Sequence, residues 1–501
     1  MKVTIHNPTK AYISQPMPED LKSLQKFLTY ENTGTKHLIK RHYANHFWKS
    51  RNNLSWLEHL ETLQKDLKKT LVFEDEKGFY IRPGSIPYLS DFNLQVDNLI
   101  DYPTPKKIPW AKPLPFALHP YQEESWTKLI EERHGNVSLT TGSGKSAIVM
   151  KLCRELGLNT CIVVPSKSIF EELSDKFEHH FGKKYVGQFG DGKKKLDKKF
   201  TIAIGDSLAN IKPDTPEHKF FSNLDVLIVD ESHEFAAESL ETVCHGVLQN
   251  IPYRFFLSAT QIRNDGSGPL LQSIIGKTVC ELTTAEAVQK GFICNHDFRI
   301  VSVESSNPSF ESSDALEIKR NHFLKNTNIA SFCAKLANAT AAQGKGTLIL
   351  VSELSQIAMV VPMLKVPFAI AHSEKKKERL AELGLEKVDN AESVEKFNKN
   401  EAQVLIGTSC IATGTNIFPC HNVVNWVGGS SPIRTKQGAV GRAVRFGHSN
   451  PWASKCLPKD KATIWDFDIE DQFTMSRHLE SRMECYKESG TEIKYVRLKN
   501  S

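Results

Sequence analysis

Eight short apolar runs, in two groups of four, constrain the fold more than any other feature of this chain. Thr160–Val164, Phe200–Ile204, Val226–Val229 and Arg254–Leu257 make the first group. Thr347–Val351, Gln403–Ile406, Val423–Val427 and Thr463–Phe467 make the second. Each is rich in Val, Ile, Leu or Phe and nearly continuous in its apolar character. Such runs suit parallel strands covered on both faces by crossover helices, because a half-exposed strand would alternate apolar with polar residues. Helix-like stretches lie between them, Glu392–Asn398 among them. The expected class is therefore α/β, with two tandem parallel-sheet units.

A chain of 501 residues exceeds one ordinary core, so two to four domains are expected. Residues 103–120 hold six prolines, a density that fits an extended or wrapped linker. Before it, residues 1–102 are expected to form a small α+β accessory domain; Gly78–Gly84 reads there as a strand and then a turn. The first α/β unit is expected over 118–300 and the second over 301–501, with 303–316 as a connecting loop. Composition, 40% hydrophobic and 24% charged, is that of a globular protein with no membrane-length apolar run. The opening residues lack a signal-peptide pattern, and the ten cysteines show no CxxC pair and no zinc spacing. Buried thiols in a cytoplasm, a host cytoplasm if the chain is phage-encoded, are the expectation. A net charge of +6 permits a polyanionic partner without demanding one.

Four motifs carry chemistry. Leu139-Thr140-Thr141-Gly142-Ser143-Gly144-Lys145-Ser146 precedes the helix-like Ala147–Leu156. Thr141, Gly142, Ser143 and Gly144 would bring backbone N–H groups to phosphate oxygens at a helix N-terminus. Lys145 would neutralise the terminal phosphates and Ser146 would ligate Mg²⁺. Leu139 stands where such loops usually carry a first glycine, and a plain glycine-rich turn is the competing reading. Asp230 and Glu231 end an apolar run 85 positions after Lys145, where a carboxylate can face the phosphate loop. There Asp230 would hold Mg²⁺, while Glu231 would orient or deprotonate a water. Ser258-Ala259-Thr260 ends the next run. Far downstream, Gln437 through Arg445 supplies Arg442 and Arg445, three apart and expected on one helix face. Arginines so placed can stabilise charge developing on a transferring phosphoryl group, at a site completed when the two α/β units close.

In order and spacing, this set resembles the superfamily-two helicases over roughly 118–470, which implies two RecA-like domains. The resemblance implies ATP and Mg²⁺ as cofactors and makes Asp230-Glu231-Ser232-His233 a DExH box. It makes Gln122, within Leu118-His119-Pro120-Tyr121-Gln122, an adenine-sensing glutamine. His233, Ser258, Thr260 and Gly414 become coupling residues, Gly414 within a motif running from Thr408 to Ile417. Asn416 replaces the acidic residue usual near the end of that motif. Gln437, Arg442 and Arg445 join Lys145, Asp230 and Glu231 as catalytic candidates. Nucleic-acid contacts carried over are Pro165, Ser166, Lys167, Gly205, Ser207, Ser352 and Thr408. Any one of these hydroxyl residues alone fits a turn or cap equally well.

Two basic stretches remain. Lys36–Arg51 interleaves five Lys/Arg with Tyr43, Phe47 and Trp48 and has no acid. It fits a phosphate backbone with base stacking, and equally an amphipathic segment whose aromatics are core. Lys183–Lys199 has seven lysines against two aspartates and reads as a solvated loop or as part of a nucleic-acid face. The layout is similar to phage branch-migrating helicases. An ATP-dependent DNA helicase or translocase acting on forked, branched or single-stranded DNA is the leading expectation, with replication or recombination proteins as partners. An RNA helicase, or an ATPase that remodels protein–nucleic-acid complexes without unwinding, are the alternatives. Removing residues 1–102 is expected to weaken branched-DNA binding and spare basal turnover.

Overall fold

The computed structural model describes all residues except 47–53, 109–113, 115–116, 260–265, 375–376, 383, 386–387, 409–410, 412–415, 432–434, 471 and 498–501. Among the described residues, seven short strands lie in the N-terminal block: β1 (Lys2–Asn7), β2 (Lys10–Ser14), β3 (Thr29–Glu31), β4 (Lys68–Thr70), β5 (Val72–Asp75), β6 (Gly78–Ile81) and β7 (Gln95–Asn98). Five of them form a mixed sheet in the order β5-β6-β2-β1-β7. The strands β3 and β4 pair separately, and helices Thr33–His46 and Leu54–Leu67 lie between them in sequence.

The first parallel-sheet unit contains β8 (His134–Leu139), β9 (Thr160–Val164), β10 (Val186–Gly190), β11 (Lys193–Lys195), β12 (Phe200–Ile204), β13 (Val226–Val229), β14 (Tyr253–Ser258) and β15 (Thr278–Leu282). Their order is β11-β10-β12-β9-β13-β14-β8-β15. The ladders from β10 through β8 are parallel. All five residues of β9 and all four of β13 are buried, as double-sided cover by helices requires. Helix Lys167–Phe181 starts where Ser166 caps it, and Lys145–Leu156 stops at Gly157, φ +58°.

The second unit contains β16 (Asn295–Val303), β17 (Thr347–Val351), β18 (Phe368–Ala371), β19 (Val404–Gly407), β20 (Asn422–Trp426), β21 (Lys461–Ile469) and β22 (Ile493–Arg497). They form one sheet, ordered β18-β19-β17-β20-β21-β16-β22, with parallel ladders throughout. Within β21, Asp466 is buried and holds Arg482 at 2.7 Å and the Tyr486 hydroxyl at 2.6 Å, so this buried charge is paired and hydrogen-bonded.

Compactness divides the chain into Met1–Leu139 with Gly144–Glu281, and Thr140–Ser143 with Leu282–Ser501. A boundary at 300/301 would cut β16, so we place it at 281/282. Pro120 belongs to helix Pro120–Glu132 and not to the proline-rich connection, of which residues 109–113 and 115–116 lie outside the described residues. Within the stretch, the amides of Lys106 and Ile108 donate to Leu156 and Arg154 carbonyls at 2.7 and 3.2 Å.

Two expectations need correction. The N-terminal block is α+β, but it is not set off from the first unit. Val3, Ile13, Leu24 and Ile81 belong to the same buried cluster as Leu271, Ile274 and Ile275. The N-terminal strands thus share a core with helix Gly268–Ile275 of the first unit. Nor is Lys183–Lys199 a plain loop. It contains β10, a parallel partner of β12, and turns back through Asp191 and Gly192 into β11.

Candidate functional site

Gly144, φ +76°, is the N-cap of Lys145–Leu156, and Gly142 has φ +85°. Both lie in the left-handed region that glycine reaches without steric cost. A Cβ at Gly144 would sit 2.7 Å from Gln122 Nε2. Gln122 itself is buried; its amide oxygen accepts from the His119 N–H at 2.9 Å, and its Nε2 donates to the Gly144 carbonyl at 3.4 Å. The expected adenine-sensing glutamine thus braces the loop it was expected to serve.

Lys145 is the first residue of its helix and has a side chain only 6% exposed. Its ammonium lies 3.2 Å from Glu231 Oε1 and donates to the Leu139 carbonyl at 3.3 Å. A buried ammonium requires such acceptors, and phosphate oxygens are of the same kind. Thr141 and Ser146 are half-buried, and Ser143 is buried.

Asp230 follows β13. Its N–H donates to the Val163 carbonyl at 2.9 Å, and its Oδ1 accepts from the Glu231 N–H at 3.0 Å. Burial, and then the neighbouring Glu231 carboxylate, push its carboxyl up to about 7 against the opposing pull of Lys145. Glu231 is in the left-handed region at φ +49°, which sends its side chain to Lys145 on one oxygen and leaves the other 3.5 Å from His233 Nδ1. Ser258, fully buried, ends β14 in register with Ser138 of β8. Gln122, Gly144, Lys145, Asp230, Glu231 and His233 are therefore linked by successive contacts within one unit. The available donors for a metal are hard oxygens, the Asp230 carboxylate and Ser146 hydroxyl, which suit Mg²⁺.

In the second unit, Arg442 is buried and its Nε donates to the Ile411 carbonyl at 3.0 Å. Arg445 donates to the side-chain oxygen of Asn416, so the neutral amide still serves as its acceptor. The two arginines do not share a helix face. Lys436–Val440 is a π-turn and Gly441–Ala443 a single short turn of helix, which ends before Arg445. Gln437 lies in that π-turn. Thr408 is buried, its hydroxyl accepting from the Ser373 N–H at 3.2 Å, and Ser352 donates to the Val427 carbonyl at 2.8 Å. Thr260 and Gly414 lie outside the described residues.

Of the remaining positions, Pro165 and Ser166 follow β9, and Lys167 forms an ion pair with Asp191 at 2.8 Å. Gly205 and Ser207 lie in the short helix Gly205–Ala209 after β12. At Gly205 a Cβ would meet the Phe235 ring at 2.3 Å, so glycine is required there. The hairpin β10–β11 beside them escaped the sequence reading. Asp191-Gly192, a dipeptide typical of two-residue hairpin turns, is the signal that locates it.

Lys145 thus meets Glu231 beside Asp230 at the end of one parallel sheet, and a second parallel-sheet unit follows in the chain. Residues 115–263 match the family described as type III restriction enzyme, res subunit, and residues 327–447 match the helicase conserved C-terminal domain. The chain belongs to the superfamily-two helicases. It is 27% identical over 216 residues to a protein named DNA 3'-5' translocase XPB2 from Sulfurisphaera tokodaii, covering 42% of this chain and 46% of that protein. The chain thus spans under half the length of this curated relative. Among solved structures, it is similar to a fragment of a HsdR subunit of a type I restriction enzyme from Vibrio vulnificus, described as putative. That similarity has a TM-score of 0.53 at 16% identity, over 75% of this chain and 68% of that one. Bacteriophage T4 UvsW aligns over 99% of both chains at 15% identity, with a TM-score of 0.42. Among the described residues, no helix is long and apolar enough to cross a membrane.

Proposed function

We propose that this chain is an ATP-dependent DNA helicase or translocase that unwinds or branch-migrates forked and branched DNA in replication, recombination or repair. The observation that carries the reading is the approach of Lys145 to Glu231 at 3.2 Å, with Asp230 buried beside them, in a chain that also matches the helicase C-terminal domain. The backbone of Thr141 through Gly144, with Lys145, would hold the phosphates of ATP, and Gln122 would read its base. Asp230 and Ser146 would hold Mg²⁺, which would offset phosphate charge. Glu231 would orient the attacking water. Arg442 and Arg445, with Gln437 nearby, would stabilise charge developing in phosphoryl transfer. His233, Ser258, Thr260 and Gly414 would connect nucleotide state to the grip on nucleic acid. Pro165, Ser166, Lys167, Gly205, Ser207, Ser352 and Thr408 would contact its backbone. The name of the Sulfurisphaera relative, a DNA translocase, supports DNA over RNA as the track.

The test measures ATP turnover with single-stranded, forked and four-way DNA and with matched RNA, alongside strand separation. DNA-stimulated turnover and remodelling of branched DNA are expected. Stimulation by RNA alone, or turnover indifferent to nucleic acid, would overturn the proposal. Lys145→Ala should reduce turnover at least about 100-fold, since it removes a fixed charge from the phosphates. Turnover near the wild-type level would remove Lys145 from the catalytic assignment.

A further inference from the structure

Beside Gly205 and Ser207 lies a cavity of about 390 Å³, formed by the β10–β11 hairpin and by residues 207–217. Ser207, Asn210, Lys193, Lys194 and Lys212 line it, together with the carboxylates of Asp191 and Glu217. Both carboxylates are already engaged: Asp191 with Lys167 at 2.8 Å and Glu217 with Lys194 at 3.1 Å. Lys193 and Lys212 have no ion pair among the described residues; the Lys193 ammonium stands 5.4 Å from the Phe170 ring centre. Two cations without anionic partners among the described residues thus line a cavity beyond the ends of parallel strands, where ligands of α/β sheets gather.

The hairpin is also fixed in place. Its turn residues Asp191 and Gly192 have φ +51° and +76°, the two-residue turn whose twist matches paired strands. A Cβ at Gly190 would lie 2.9 Å from Ile204, and one at Gly187 2.7 Å from Thr201 Oγ1, so glycine lets the hairpin pack closely on β12. A rigid mount holds Lys193 at the cavity without ordering a loop on binding.

We infer that this cavity seats the sugar–phosphate backbone of a nucleic-acid strand, with Lys193 and Lys212 as its phosphate counter-charges beside Ser207. The inference rests on the proposed function and adds to it a contact outside the helicase motifs. A phosphate contact is read by the salt dependence of binding. Each one lost should reduce the slope of log affinity against log salt by about 0.7 for a single strand.

The experiment titrates full-length protein with fluorescent single-stranded DNA and matched RNA across a salt series. Lys193→Ala/Lys212→Ala should lose about 1.4 from the slope on both strands, and each single variant about half of that. Lys193→Arg/Lys212→Arg should keep the slope, because it retains the charge. Should the double variant fail to match the wild-type melting temperature, the single variants carry the test. An unchanged slope in correctly folded alanine variants overturns the hairpin contact and leaves the proposed function standing. If the wild-type protein shows no salt-dependent binding to either strand, the proposed function falls, and this inference with it.

Discussion

Asp230 is a buried carboxyl whose surroundings oppose its ionisation, and this has a measurable consequence for stability. Burial and then the Glu231 carboxylate push it up to about 7 from the ordinary 3.8, so its protonated form favours the fold. That stabilisation is complete below about pH 3.8 and is lost as pH rises through about 7. Asp230→Asn should therefore melt above wild type at pH 8, by at least about 2 °C, and by less at pH 5. Thermal melts of both proteins at the two pH values decide it; a gap no larger at pH 8 would contradict the assignment. Comparison at equal pH is needed because His134 and His296, pushed down to about 4 mainly by burial, act with opposite sign. Their contribution is present above about 6.5 and is lost as pH falls towards 4. At Arg442 the proposal concerns charge that develops only in the transition state. Arg442→Ala should lower kcat at least about 30-fold while KM changes less than about 3-fold. A rise in KM with kcat intact would make Arg442 a ground-state binding residue.

Among the elements, the contact of the 3-10 helix Pro83–Tyr88 with helix Gly268–Ile275 fixes the N-terminal sheet on the first unit. Arg82, buried, donates to Ser273 Oγ at 3.0 Å and pairs with Glu241, while the Tyr88 hydroxyl donates to the Gly276 carbonyl at 3.0 Å. A Cβ at Gly84 would sit 2.3 Å from the Ser273 carbonyl oxygen. Gly84→Ala should thus cost about 1–3 kcal/mol by overpacking. It should also speed tryptic release of the N-terminal block; unchanged melting and proteolysis would show that the contact yields freely. The elements differ in how openly the sequence displayed them. Thr160–Val164, Phe200–Ile204, Val226–Val229 and Thr347–Val351 coincide with observed strands because burial on both faces leaves an unbroken apolar run. The strand Val186–Gly190 was hidden because two of its five residues are glycines, chosen for close packing, and lysines dominate its surroundings. The Lys145–Asp230–Glu231 cluster was legible from motif order, since its chemistry fixes residue types and spacing. The placement of Arg445 was not, because the short helix Gly441–Ala443 ends before reaching it, so the spacing of three no longer means a shared face.

For the whole molecule, the largest departure from the sequence reading is that cores and chain segments do not coincide. Residues 1–102 look detachable behind six prolines, yet their apolar side chains continue the core of the first parallel sheet. The second sheet has a separate core, built from Val301, Phe323, Ile349, Val424 and Trp426 among others. Units with separate cores unfold as separate cooperative transitions, whereas segments sharing a core unfold together. Removing residues 1–102 should then strip cover from Leu271, Ile274 and Ile275 and lower one calorimetric transition by about 10 °C or more. The other transition should stay within about 2 °C of its original position. A deletion of this kind would weaken DNA binding and ATP turnover together by damaging the unit that carries Lys145 and Asp230. Basal turnover would not be spared, contrary to what a tethered accessory domain implies. Calorimetry of the full chain and of residues 103–501 distinguishes the two arrangements. If both transitions persist at their original temperatures, the N-terminal block folds independently and the continuous core contributes nothing to holding it.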